Sequence, residues 1–168
     1  GIRDYKVTGV QTCALPIFEV IKCTRMDLSK FKHKAAIQIR FKDIDHMGHV
    51  NNANHITYFE YARIQYFKEV INETVNWNEE GVILAKTEIN YHRPILLSDE
   101  VYVYSRVSKL GNKSYEVEYV ITVENNGDIA VCATGMSVQV CYNYLQNTTV
   151  PIPLSWRTKV MEFESDLN

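Results

Sequence analysis

The stretch richest in functional groups is Asp43-Ile44-Asp45-His46-Met47-Gly48-His49-Val50-Asn51-Asn52, which packs two carboxylates, two imidazoles and two amides around one glycine. The pattern changes on either side of it. Before it, Ile37, Ile39 and Phe41 alternate with Ala36, Gln38 and Arg40, the period of two that a half-buried strand requires, so a strand is predicted over residues 35–41. After it, Ile56, Phe59, Ala62, Phe67 and Val70 recur at helical spacing and Tyr58, Tyr61 and Tyr66 widen the apolar surface, which predicts a helix from about residue 53 to 71 with Asn51, Asn52 or Asn54 as its cap. The loop therefore runs into a helix N-terminus, where unpaired N–H groups and the positive end of the dipole suit a developing oxyanion. A carboxylate beside such a seat can attack a carbonyl carbon or activate water to do so. Asp45 is the candidate for that role, Asp43 reads as a loop-capping acid, and Gly48 gives the turn its freedom and allows close approach to a ligand.

Two other chemistries compete for the same residues. Glu60 is a second carboxylate, within the helix, but at i,i+3 from Arg63 it also reads as half of an ion pair, worth a few tenths of a kcal/mol. His46, His49 and His55 with the two aspartates suggest a metal site. Because His46 and His49 precede the helix and no second ligand cluster occurs elsewhere, the expectation is no metal.

The elements that must position this loop follow from the rest of the chain. Beyond Gly81 the sequence alternates almost continuously, predicting strands over 82–92, 101–110, 114–124 and 129–142. Gly111-Asn112 and Asn125-Asn126-Gly127 are tight-turn sequences, so the last three strands should form an antiparallel meander. In the middle strand Tyr115, Val117, Tyr119, Ile121 and Val123 share one face, while Glu116, Glu118 and Thr122 share the other. One early helix followed by antiparallel strands is an α+β pattern. A helix apolar on more than one side must be wrapped, and a five-stranded curved sheet around one long helix would do it. After Pro151 and Pro153, residues 154–164 predict a short closing helix.

Composition narrows the class further. The chain has 168 residues and a formal charge of −2 with both signs well mixed, so there is neither length for two comfortable domains nor a basic stripe for nucleic acid. No apolar run is long enough for a membrane span and no secretory pattern is present. The four cysteines lack zinc spacing and are sparse for a disulfide scaffold, which fits reduced thiols in the cytoplasm. Cys132 and Cys141, nine apart on one strand, should face opposite ways unless a bulge intervenes. Residues 1–25 stand apart: Val7-Thr8-Gly9-Val10-Gln11-Thr12-Cys13-Ala14-Leu15-Pro16-Ile17 has no periodicity and resembles a translated sequencing-library adapter. Residues 1–25 are thus expected to be a non-native or unstructured leader, and 26–168 a single domain.

Taken together, Arg40-Phe41-Lys42-Asp43-Ile44-Asp45, Gly48-His49-Val50-Asn51-Asn52-Ala53, Tyr58-Phe59-Glu60 and Ala62-Arg63 resemble the hotdog-fold acyl-CoA thioesterases related to 4-hydroxybenzoyl-CoA thioesterase. Glu88-Ile89-Asn90-Tyr91-His92-Arg93-Pro94, Asp99-Glu100-Val101 and Leu110-Gly111-Asn112-Lys113-Ser114 extend the resemblance, in order, over about residues 35 to 142. It implies hydrolysis of acyl-CoA to free acid and coenzyme A, with coenzyme A as part of the substrate and no retained cofactor. It makes Asp45 the nucleophile or general base and the amide of Asn52 or its neighbours the group that polarises the thioester carbonyl. Gly48, His49, Val50, Asn51, Asn52, His55 and Glu60 then line the oxyanion and substrate site, with His55 standing where relatives usually carry tyrosine. Arg93, Lys109 and Lys113 are the basic candidates for the coenzyme A phosphates. Gly48-His49-Val50-Asn51-Asn52-Ala53 also resembles acyl carrier protein thioesterases, which makes that carrier an alternative. A non-catalytic acyl-binding protein of the same fold is the rival outside enzymology, against which a retained Asp45 argues. A homodimer or homotetramer is expected, with the site at the subunit interface.

An adapter-derived leader has no evolved surface to bury. A chain starting at Met26 should therefore match the full chain in melting temperature and turnover, measured side by side.

Overall fold

The computed structural model describes residues 26–125 and 127–167, so the reading of residues 1–25 as a leader lies outside the described part. The elements in order are β1 (His33–Ile37), α1 (Asn52–Tyr66), β2 (Glu80–Tyr91), β3 (Val101–Leu110), β4 (Ser114–Asn125), β5 (Asp128–Asn143), β6 (Thr148–Thr149) and α2 (Leu154–Phe163). A π-helical turn, Phe67–Ile71, prolongs α1 to Asn72, which stops the helix in the left-handed conformation at φ 47. The strands form one antiparallel sheet in the order β1-β3-β4-β5-β2. The short β6, not expected from the sequence, pairs with Tyr142 and Asn143 of β5 beyond the point where β4 begins opposite Val140.

Helix α1 packs on the sheet through Tyr58, Phe59, Ala62 and Tyr66. At the centre of the contact the Phe59 ring stacks on Tyr119, with centroids 4.4 Å apart and planes 12° apart. Beside Tyr119 in the register lies Gly135, where a Cβ would stand 2.5 Å from Phe59 Cε2. The strand thus carries no side chain where the ring must sit.

Two expectations need correction. The first strand ends at Ile37 rather than residue 41: Phe41–Asp43 form a 3-10 turn and Phe41 is 84% exposed. The turn forms because the Asp43 carboxylate accepts the Arg40 N–H at 3.0 Å, which bends the chain before the alternation can continue. Nor is the helix wrapped all round, because Ile56, Tyr61 and Ile64 remain exposed. Cys132 and Cys141 both lie in the core as free thiols, their pKa values pushed up by burial to about 11. The register slips by one residue at Cys132, a bulge that alters the face parity along β5.

The closing helix has a definite task. Strand β1 covers β3 only from Val101 to Ser105, leaving later β3 amides on that edge without a strand. Glu164, just past α2, reaches this edge: its Oε1 accepts the Val107 N–H at 3.2 Å and the Tyr66 hydroxyl at 2.9 Å. Arg157 donates to Gly111 O and Lys159 to Ile71 O, tying the helix to the β3–β4 turn and to the end of α1.

Burial raises the Glu164 carboxyl above its ordinary range, opposed by the Tyr66 and Val107 bonds and the Arg106 charge. A folded-state value above the unfolded one gives a contribution that is whole below the unfolded pKa and is lost as pH rises through the folded value. Glu164→Gln keeps an acceptor for both partners and removes this dependence. In thermal denaturation the wild type should therefore lose melting temperature relative to the variant as pH climbs from 4 toward neutrality.

Candidate active site

The loop between β1 and α1 is organised by Asp43, whose side chain is 1% exposed. Its carboxylate accepts from the Arg40 N–H, from Arg40 Nε at 3.3 Å and from the Tyr58 hydroxyl at 3.1 Å, and lies 3.1 Å from Arg40 Nη2. Its backbone carbonyl accepts the Asn51 N–H at 2.8 Å and Asn54 Nδ2 at 2.9 Å. One residue thus joins the strand side of the loop to the first turn of the helix. Burial pushes its carboxyl up, but the Arg40 and Tyr58 bonds and the guanidinium charge outweigh that and leave it below the ordinary carboxylate range. Asp43 is the structural acid of the pair.

Asp45 differs in its surroundings. Its backbone N–H donates to His49 O at 2.8 Å, its carbonyl accepts the Gly48 N–H at 3.0 Å, and Ile44 pairs with Val50 across the loop. These bonds close a tight hairpin in which Asp45 is half-buried, two residues beyond the Asp43 carbonyl that holds Asn51 at the entry to α1. Its Oδ1 accepts the Met47 N–H at 2.8 Å, while among the described residues no donor reaches Oδ2. Gly48 has a φ of 81, which explains the glycine, although open space surrounds the position of its missing Cβ. His46 is exposed, His49 half-buried, and Val50 buried with its N–H on Ile95 O at 2.9 Å.

The helix entry leaves one amide open. Asn51 is the N-cap, its Oδ1 accepting the Ala53 N–H at 3.0 Å and its carbonyl the Asn54 N–H at 2.9 Å. With Val50 N bonded to Ile95 and Asn51 N to Asp43, the Asn52 N–H is the only one in residues 50–54 accepted by no described group outside the helix's own bonding. His55, one turn in, is buried; its Nδ1 lies 3.3 Å from Asn51 O and its ring meets Tyr91 edge-on at 5.1 Å. Burial lowers its pKa, against the pull of the Asn51 and Asn52 carbonyls, so the imidazole is held neutral.

Further along α1 a cavity of about 750 Å³ opens between the helix and β2, with Ile56, Glu60, Ile64, Phe67, Trp77 and Leu84 among its lining residues. Glu60 therefore faces this chamber, and the Glu60–Arg63 ion pair expected from spacing is not formed. Arg63 Nη1 instead donates to the Tyr119 hydroxyl at 3.3 Å, which is joined to Ser137 Oγ at 2.8 Å. The three basic candidates do not converge: Arg93 follows β2 on the side of the Asp45 loop, whereas Lys109 and Lys113 flank the β3–β4 turn at the far end of the sheet. There Lys109 pairs with Glu116 at 3.2 Å and Lys113 donates to Thr149 O at 2.8 Å. Tyr91, Tyr58 and Ile95 complete the loop's support: Tyr91 and Ile95 reach it from beyond the helix, and Tyr58, which reads from the sequence only as part of the helix's apolar surface, from the second turn of α1. Among the described residues no cluster of three or more His, Cys, Asp or Glu side chains is placed to hold a metal ion, and no helix is long and apolar enough to cross a membrane.

A curled antiparallel sheet against one long helix, with an acidic loop at the helix entry, is the hotdog architecture of thioesterases. Residues 39–163 match the family model of the thioesterase-like superfamily, and the chain belongs to that family of thioester hydrolases. The long-chain acyl-CoA thioesterase FadM of Escherichia coli K12 is 30% identical over 100 residues, 58% of this chain and 74% of that protein. A Thermus thermophilus thioesterase crystallised with coenzyme A and zinc is 34% identical at a TM-score of 0.68, covering 83% of this chain and 98% of that one. The PA5185 protein of Pseudomonas aeruginosa PAO1 superposes at a TM-score of 0.74 with 25% identity, covering 83% and 96% of the two chains.

Replacing Asp43 by Asn removes the charge that Arg40 and Tyr58 face. Hydrogen bonds to charged groups contribute about 1.5–3 kcal/mol, so a loss of about 2 kcal/mol is expected, or about 4–8 °C in melting temperature for a chain of this size. Since the folded-state value lies below the unfolded one, wild-type stability from this group is whole above the ordinary carboxylate range and falls as pH drops through the folded value. Acid titration of the melting temperature should show that limb flattened in the variant.

Proposed function

We propose that the protein hydrolyses acyl-CoA thioesters to the free acid and coenzyme A, with Asp45 as nucleophile or general base and the Asn52 N–H as oxyanion donor. The observation that carries this reading is the single open amide at the start of α1, joined through the Asn51–Asp43 bond to a loop whose second carboxylate keeps one oxygen that no described donor engages. As the thioester carbonyl becomes tetrahedral, its oxygen gains charge that the Asn52 N–H and the helix dipole stabilise without reorganisation. Asp45 either attacks the carbonyl carbon itself or takes the proton of an attacking water, and the thiolate of coenzyme A departs.

The chamber beside α1 suits the acyl group. At 1.5 Å per residue it begins about 6 Å along the helix from Asn52, at Ile56, and reaches Phe67 at about 22 Å, room for a medium or long chain. Glu60 lies about 12 Å along the same axis, which favours a place on the acyl path over one at the carbonyl. Arg93, on the catalytic side, is the strongest of the basic candidates for the coenzyme A phosphates.

A second copy of the chain fits the same reading. Strand β2 is a sheet edge with Ile83, Leu84 and Tyr91 exposed, and its Val82 and Leu84 share the chamber with the uncovered Ile56 and Ile64 of α1. Pairing two such edges would satisfy their amides and close the chamber, which Val82 and Leu84 line. Sedimentation at assay concentration should show at least a dimer, and a fully active monomer would refute the pairing.

On an acyl-CoA panel, Asp45→Asn should lower kcat by a factor on the order of 100 or more with KM changed far less, the range typical of losing a positioned acid–base group. Glu60→Gln should do less harm. Near-native turnover by folded Asp45→Asn with loss in Glu60→Gln would transfer the role to Glu60, and a wild type without turnover on CoA or carrier-protein thioesters would make the protein a binder.

A further inference from the structure

Resting on the assignment of the Asn52 N–H as oxyanion donor, we infer that His55 and Tyr91 are positioning residues that fix the direction of that amide by holding the carbonyls of the two peptide groups flanking Asn52. A peptide unit is planar and trans, so its N–H and C=O point opposite ways and holding one end aims the other. The unit carrying the Asn52 N–H has Asn51 O as its other end. That oxygen receives the Asn54 N–H at 2.9 Å and lies 3.3 Å from His55 Nδ1. The next unit is held at both ends, by the Tyr91 hydroxyl on Asn52 O at 3.2 Å and by Asn51 Oδ1 on the Ala53 N–H at 3.0 Å. Three of the four polar groups flanking the Asn52 Cα are thus engaged, and the fourth is the N–H left for substrate.

The two side chains form one unit. Their rings meet edge-on at 5.1 Å and 85°, so a shift in one moves the other. His55 donates from Nδ1 as a neutral imidazole, which places a donor and not a second full charge behind the amide. Hydrogen bonds received at Asn51 O also polarise the same peptide unit and strengthen its N–H as a donor. Tyr91 brings β2 into the catalytic arrangement: it lies outside the loop, is 44% exposed, and among the described residues its hydroxyl supplies the one hydrogen bond from β2 to the helix entry.

The test measures steady-state kinetics and melting temperature for Tyr91→Phe, His55→Leu, His55→Asn and His55→Gln, with Asp45→Asn as reference. A misaimed oxyanion donor lowers kcat and spares KM, so Tyr91→Phe and His55→Leu should each lose on the order of 10- to 100-fold in kcat, within the range set by misplacement of a catalytic group. Asparagine places an amide N–H where Nδ1 stood and should recover most of the loss, whereas glutamine, which mimics the other ring nitrogen, should not. Because both residues hold one amide, Tyr91→Phe combined with His55→Leu should lose less than the product of the single losses. If His55→Leu fails to fold, Tyr91→Phe, which removes one oxygen from an exposed ring, still decides the matter. Native kcat in Tyr91→Phe, a change confined to KM, or His55→Asn no better than His55→Gln at equal melting temperature would overturn the inference while an inactive Asp45→Asn leaves the catalytic reading standing. Native turnover in Asp45→Asn would instead remove the reading on which it rests.

Discussion

Everything at the loop end of α1 hangs on the buried carboxylate of Asp43. A buried anion is tolerable only when fully paired, and the groups that pair it come from both sides of the loop: Arg40 before it and Tyr58 from the helix after it. Satisfying that charge therefore dictates that the chain turn after Arg40 and that α1 start where it does. The Asp43 carbonyl then fixes Asn51, and Asn51 caps the helix. With the inward carboxylate spent on structure, Asp45, two residues on, keeps an oxygen that no described donor engages.

The sheet meets this demand with a matching one. Phe59, one residue beyond Tyr58, stacks on Tyr119 where Gly135 leaves room, so the side chains that seat the helix and pair Asp43 lie in adjacent positions. Register between helix and sheet and geometry of the loop are thereby set together. A shift of α1 along the sheet would break the stack and strip Asp43 of its hydroxyl partner at once.

Local chemistry was legible in the sequence wherever it was local in the chain. The helix over 53–71, the four later strands, the closing helix and the structural duty of Asp43 all follow from periodicity and a dense loop, and the fold places them within a few residues. What could not be read depends on contacts between distant segments. Arg63 turns from Glu60 to Tyr119; a bulge at Cys132, opposite β4, shifts the parity of β5; and Tyr91 meets Asn52 across 39 positions. The basic candidates scattered for the same reason, since charge alone does not say at which end of a strand a lysine will stand.

The two sides of the sheet are finished differently. On one, β1 spans five residues and Glu164 occupies the amide of Val107 beyond it; on the other, β2 runs twelve residues with no described strand beside its outer edge. Both β1 and β2 are edge strands, but the β2 edge is more than twice as long and is the stronger template for an added strand. An incoming strand would find twelve backbone positions along β2 against five along β1, so recognition at the margins of this sheet is lopsided.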